Sequence, residues 1–113
     1  MRSPITTHVL DTNLGKPAAD IAVTLYRKSD EGFTHIAQGK TNEDGRIMEW
    51  MDETERKAGV YRIEFATDPY FESLGQKCFY PSVTIDFRIE ATDEHYHVPL
   101  LVSAFGFSTY RGS

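Results

Sequence analysis

Apolar and polar residues alternate along most of the chain, and this alternation predicts strands that bury one face. In residues 5–10 the odd positions face one way, whereas Thr6 and His8 lie on the opposite face. Residues 60–66 and 83–90 repeat the same two-residue period with larger apolar side chains. Eight strands are predicted in this way, over residues 5–10, 21–28, 33–40, 46–50, 60–66, 83–90, 96–102 and 105–110.

Turn-forming residues separate these segments. Residues 29–32 (SDEG) and 42–45 (NEDG) have the composition of hairpin turns, and residues 13–17 are also turn-rich. The Asp44-Gly45 pair supplies the residue types that tolerate positive φ. Short strands joined by such turns predict an all-β fold, an antiparallel β-sandwich.

One short helix is predicted over residues 68–75. Asp68 would be its N-cap, Pro69 its first residue and Gly75 its terminator. Residues 52–58 are open to two interpretations, because their start resembles a capping box but no apolar stripe follows. A weak helix and a charged loop are equally compatible with that segment.

Length and composition predict one domain over residues 1–113. The chain is 40% hydrophobic and 26% charged, as in ordinary soluble proteins. Its net charge of −5 argues against binding to nucleic acid or to an anionic membrane. We expect a cytoplasmic protein, since no apolar stretch reaches the roughly 18–20 residues that span a bilayer and no signal region is present.

Histidines are the first candidates for chemistry. His95 and His97 are two residues apart on a predicted strand, so their side chains share a face. A metal site completed by His8 is one interpretation of this pair. His35 has no evident partner. The single cysteine, Cys78, excludes an internal disulfide, and we expect it to be structural rather than reactive.

Arg46 and the chain end add further polar groups. Arg46 follows the Asp44-Gly45 turn, where it is either a solvated surface residue or a clamp for an anion or carbonyl. The chain ends in residues 110–113 (YRGS), which a packed strand could deliver to a site. From the residues alone, both roles stay open.

Five segments, in their order and spacing, resemble the 5-hydroxyisourate hydrolases, and the likeness runs over residues 5–113. Ala104 stands where the family commonly has proline, and Phe107 where it commonly has tyrosine. Neither position is assigned to catalysis. The matching segments are residues 7–11 (THVLD), 41–46 (TNEDGR), 79–85 (FYPSVTI), 95–101 (HYHVPLL) and 108–113 (STYRGS).

This resemblance implies a transthyretin-like sandwich that opens a cyclic amide bond of 5-hydroxyisourate, giving 2-oxo-4-hydroxy-4-carboxy-5-ureidoimidazoline in urate degradation. It implies no cofactor and no metal, and a homotetramer built as a dimer of dimers, with sites in a channel between the dimers. The resemblance assigns catalysis to His8, Arg46, His97 and Ser113, and substrate binding to His8, Arg46, Tyr110, Arg111 and Gly112.

Two other functions are weighed against this one. Transthyretin shares the sandwich and carries thyroid hormones, but it lacks both the His, Arg, His set and the YRGS ending that are present here. A zinc-dependent hydrolase using His8, His95 and His97 is the second alternative. The resemblance favours the metal-free enzyme over both.

Overall fold

The computed structural model describes residues 3–52 and 57–112. Over these residues the chain forms nine strands and one short helix, which confirms the predicted all-β class. The elements are β1 (Ile5–Asp11), β2 (Lys16–Pro17), β3 (Ala22–Ser29), β4 (Gly32–Lys40), β5 (Arg46–Ile47), β6 (Gly59–Phe65), α1 (Thr67–Ser73), β7 (Val83–Ile89), β8 (Tyr96–Val102) and β9 (Phe107–Thr109).

The strands form two sheets packed on one core. One sheet has the order β2-β1-β8-β9, with β5 also paired to β1, and the other has the order β4-β3-β6-β7. The alternating apolar residues meet between the sheets, where Ile5, Leu100, Leu25, Ile63 and Phe65 are all 0% exposed. The predicted sandwich is therefore confirmed, and β1 and β8 keep their other face for polar side chains.

The pairing of β1 with β8 corrects the prediction of a wholly antiparallel sandwich. These strands run parallel over seven residue pairs, from Ile5 opposite Tyr96 to Asp11 opposite Val102. A two-residue period is the same in either direction, so the sequence pattern could not reveal this. The parallel register has a consequence for function, because it sets Thr6 opposite His97.

Several predicted boundaries shift in the structure. The strand predicted over residues 46–50 is limited to β5. Trp50 lies beyond it, packs partly buried against the core and donates its Nε1–H to the Ile5 carbonyl at 2.8 Å. Residues 16 and 17, predicted as turn, form β2 by pairing with Asp11 and Leu10. The final strand begins at Phe107 rather than at residue 105.

Helix α1 is present, but its predicted cap is wrong. The N-cap is Ala66, with no side-chain hydrogen bond, and Asp68 lies inside the first turn, where its charge suits the helix dipole. Gly75 follows the helix at φ +70°, in agreement with its predicted role as terminator. Residues 53–56, within the ambiguous segment 52–58, lie outside the described residues.

Within residues 3–52 and 57–112, no helix has the length and apolar character needed to cross a bilayer.

Candidate active site

A pocket of about 270 Å³ lies on the polar face of β1 and β8. Five of the residues predicted to act on substrate line it, although they are distant in the chain. Thr6 and His95, which were not among those predicted residues, also line the pocket. The lining consists of Thr6, His8, Arg46, Met48, His95, His97, Tyr110 and Gly112.

His8 and Arg46 are brought together by the pairing of β1 with β5, in which they are direct partners. The turn at residues 42–45 makes this pairing possible. Gly45 has φ +73°, and a Cβ there would lie 2.5 Å from the Val9 carbonyl oxygen, so only glycine fits. Asn42 Oδ1 accepts the backbone N–H of Arg46 at 3.0 Å and fixes the start of β5. Arg46 is thus a pocket residue rather than a solvated one.

His95 and His97 share a face, as predicted, and both contact Thr6. Thr6 Oγ1 lies 2.7 Å from His97 Nδ1 and 2.9 Å from His95 Nε2. Sequence reasoning missed Thr6 as a site residue, although it placed Thr6 on the face of His8. The usable signal was the Thr-x-His spacing of β1 beside the His-x-His spacing of the other strand.

The C-terminal tail returns along β8 and closes one side of the pocket. Gly112 donates its N–H to the His97 carbonyl at 2.9 Å, forming an isolated bridge. Tyr110 is 60% exposed and lines the pocket wall. Ser113 lies outside the described residues, so its assignment to catalysis stays a prediction.

The structure does not bring Arg111 into the pocket with the others. Its Nη2 donates to Glu94 Oε1 at 2.7 Å, and its guanidinium lies 4.5 Å from the centre of the Tyr96 ring. Together with His97 and Tyr110, it lines a neighbouring hollow of about 320 Å³. A contact between Arg111 and substrate therefore stays a prediction.

Electrostatics favour a neutral His8. Burial lowers the pKa of His8 below its ordinary value of 6.5, and the positive charge of Arg46 lowers it further. A hydrogen bond from the ring to the Asp44 backbone and the charge of Asp44 act in the opposite direction. At neutral pH the imidazole is thus uncharged and able to accept a proton.

The described part of the pocket suits chemistry with water. Among residues 3–52 and 57–112, no three His, Cys, Asp or Glu side chains are grouped so as to hold a metal ion. Cys78 is not in the lining. Its thiol donates to Asp68 Oδ1 at 3.1 Å, and partial burial followed by that contact raises its pKa, which disfavours the reactive thiolate. The pocket lining holds three imidazoles, of His8, His95 and His97, and the guanidinium of Arg46. These groups can move protons and stabilise negative charge.

The chain is similar in sequence and in fold to known proteins. Residues 5–112 match the model of the HIUase/Transthyretin family. The 5-hydroxyisourate hydrolase of Salmonella typhimurium is 46% identical over 109 residues, which cover 96% of this chain and 80% of the relative. That of Mesorhizobium japonicum is 46% identical over 114 residues, covering 96% of this chain and 91% of the relative. Sea bream transthyretin in complex with thyroxine superposes with a TM-score of 0.92 at 32% identity, over 97% of this chain and 95% of that chain.

Proposed function

The chain belongs to the HIUase/Transthyretin family and hydrolyses 5-hydroxyisourate, and we propose that His8, Arg46 and His97 carry that reaction in the pocket on β1 and β8. One observation supports this assignment above all others. The pairing of β1 with β5 and with β8 sets both imidazoles and the guanidinium around a single pocket.

The reaction requires a base for water, stabilisation of an oxyanion and a proton for the leaving nitrogen. Water adds to a ring carbonyl carbon, its proton goes to a base, and negative charge develops on the carbonyl oxygen. The cyclic C–N bond then breaks, and the leaving nitrogen takes a proton to give 2-oxo-4-hydroxy-4-carboxy-5-ureidoimidazoline.

Each of these requirements is assigned to a side chain of the pocket. His97 takes the proton of the attacking water and later returns it to the leaving nitrogen, and neutral His8 orients that water. Arg46 offers a planar set of N–H donors to substrate oxygens and to the developing oxyanion. Tyr110 and Gly112 line the pocket. We propose that they help to position the ring, that Arg111 contacts the substrate, and that Ser113 takes part in catalysis by positioning the ring or the water.

An assembly of four subunits is part of the proposal. In the described sheets, β7 and β9 are each at an edge with one side unpaired. Phe105 is 75% exposed and Phe107 is 41% exposed, and such apolar groups commonly mark an interface. We propose a homotetramer, a dimer of dimers, with the pocket facing a channel between the dimers. A solution mass of four 12.9 kDa subunits is expected by sedimentation, and a monomer would contradict it.

A cytoplasmic location and a single domain also stay predictions.

The experiment that tests the function is ultraviolet kinetics with freshly generated 5-hydroxyisourate. We expect the purified protein to accelerate loss of the substrate absorbance in proportion to its concentration, without added metal or cofactor. The competing function is a carrier like sea bream transthyretin, which was solved with thyroxine. Tight thyroxine binding without accelerated loss of substrate would favour the carrier.

A further inference from the structure

The hydroxyl of Thr6 lies between two imidazoles of the pocket. It is 2.7 Å from His97 Nδ1 and 2.9 Å from His95 Nε2. Thr6 itself is 0% exposed. Thr6 lies on β1, His97 lies on β8, and His95 directly precedes β8. The register of β1 against β8 therefore holds the hydroxyl and both imidazoles in place.

One hydroxyl proton constrains both rings. Threonine has a single O–H to donate and two lone pairs to accept with, while a neutral imidazole has one N–H and one acceptor nitrogen. When Thr6 donates to one ring, the nitrogen of the other ring that faces Thr6 must carry the proton. The protonation of His95 Nε2 is therefore linked to that of His97 Nδ1, and through it to His97 Nε2.

We propose, resting on the proton-handling role proposed for His97, that Thr6 is a positioning residue that couples His97 to His95. In the resting pair His97 donates its Nδ1–H to Thr6, and Thr6 donates its O–H to His95 Nε2. His97 Nε2 is then the unprotonated atom. This tautomer is the one in which the nitrogen away from Thr6 can act as a base.

The same chain of hydrogen bonds carries a proton during the reaction. When His97 Nε2 takes a proton from the attacking water, the Nδ1 proton passes to Thr6 and the Thr6 proton passes to His95 Nε2. The positive charge then resides on His95. His97 is then neutral and carries its proton at Nε2. When Nε2 gives this proton to the leaving nitrogen, the transfers run in reverse: His95 Nε2 returns its proton to Thr6, and Thr6 gives its own to His97 Nδ1, which restores the resting pair.

The neighbouring threonine shows that this arrangement is not a general feature of β1. Thr7 is also 0% exposed, but its hydroxyl donates to the Val98 carbonyl at 2.6 Å on the core side. Thr7 and Thr6 thus have equal burial and adjacent places in the same ladder. Thr7 supplies a matched control for any effect of losing a buried hydroxyl on stability alone.

The test compares Thr6→Val, Thr6→Ser and Thr7→Val in the full chain, with 5-hydroxyisourate as substrate. Valine keeps the shape and strand preference of threonine without the hydroxyl, and serine restores the hydroxyl. We expect kcat of Thr6→Val to fall about 10- to 100-fold with KM within about twofold, as for a loss confined to proton transfer. We expect Thr6→Ser to lie within about threefold of wild type, and Thr7→Val to keep wild-type kcat.

Nitrogen-15 NMR of histidine-labelled protein supplies a readout that a purely structural role would not change. We expect His97 Nε2 to be unprotonated in the wild type and its tautomers to be mixed in Thr6→Val. His95→Gln removes the proton acceptor independently of Thr6 and should also lower kcat. Wild-type kcat in folded Thr6→Val or in His95→Gln, or an unchanged His97 tautomer, would overturn the coupling while leaving the proposed function intact. Full turnover by His97→Asn would overturn both.

Discussion

The main chain at Gly112 lies directly against the imidazole of His97. A Cβ placed on Gly112 would be 2.6 Å from His97 Cδ2 and 3.2 Å from Cγ. The Gly112 N–H also donates to the His97 carbonyl at 2.9 Å. A residue with a side chain would fit here only if the tail or the ring moved. The tail therefore limits the orientations that the His97 ring can adopt.

Gly112→Ala should therefore damage turnover more than folding. Displacement of the His97 ring by about 1 Å can cost on the order of 10²-fold in rate. The described tail residues 110–112 are not part of the hydrophobic core, so folding should be affected less. The measurement is kcat together with the thermal midpoint. Gly106→Ala is the matched control, because the nearest atom to its added Cβ is Ser103 Oγ at 3.8 Å. Equal kcat for the two alanine variants would show that the close approach has no role in catalysis.

Arg46→Gln should mainly weaken the binding of substrate oxygens and of the oxyanion. A hydrogen bond to a charged group contributes about 1.5–3 kcal/mol, which corresponds to roughly 10- to 150-fold in kcat/KM. Arg62→Gln is the control, since Arg62 pairs with Asp86 at 2.7 Å outside the pocket and should keep wild-type kinetics. Unchanged kcat/KM in Arg46→Gln would make Arg46 a structural residue only.

The midpoint of the His8 titration should reflect both the burial of its imidazole and the positive charge of Arg46. NMR should place its midpoint below 6.5, because burial and then the Arg46 charge lower the pKa of His8. Arg46→Gln should raise that midpoint only in part, since burial remains, and Arg62→Gln should not change it. A midpoint at or above 6.5 in the wild type would contradict this description.

The same shift sets the direction of a pH effect on stability. The pKa of His8 is lower in the folded chain than in the unfolded chain, so between these two values the unfolded chain binds more protons. The contribution of His8 to stability is therefore fully present above about pH 6.5 and decreases as pH falls toward the folded value.

Tyr70→Phe should lower stability without changing chemistry. The Tyr70 hydroxyl donates to Asp11 Oδ2 at 2.7 Å and joins α1 to β1. Asp11 is 0% exposed, and its other oxygen accepts the backbone N–H groups of Asn13 and Leu14 at 2.9 and 3.0 Å. Loss of one donor to a buried carboxylate costs about 1–3 kcal/mol. Chemical denaturation measures this, and an unchanged free energy of unfolding would refute it.

Much of the fold follows from local patterns that the sequence displays. The two-residue period located the main strands and the shared face of His95 and His97, since both depend only on backbone geometry. Gly45 and Gly75 were likewise predictable, because a left-handed backbone favours glycine.

The remaining features depend on contacts between distant parts of the chain. The parallel pairing of β1 with β8 joins residues about 90 apart, and it alone explains why Thr6 meets His97. The side chain of Arg111 is long and flexible, and it pairs with Glu94 instead of entering the pocket. No local sequence pattern predicts which of the two positions it takes. The residues alone made His8 and Arg46 candidates, and the resemblance to a family assigned their roles, but neither pointed to the hydroxyl of Thr6.

The central claim, that His97 works on substrate together with His8 and Arg46, is tested most directly by one pair of variants. His97→Asn and His35→Asn make the same substitution, but His35 is exposed on β4, where its ring packs edge-on against Tyr26 at 6.1 Å. With fresh 5-hydroxyisourate, kcat of His97→Asn should fall at least about 10²-fold, as for loss of a general acid–base group, while His35→Asn stays within about twofold of wild type. Wild-type kcat in a folded His97→Asn variant would contradict the claim.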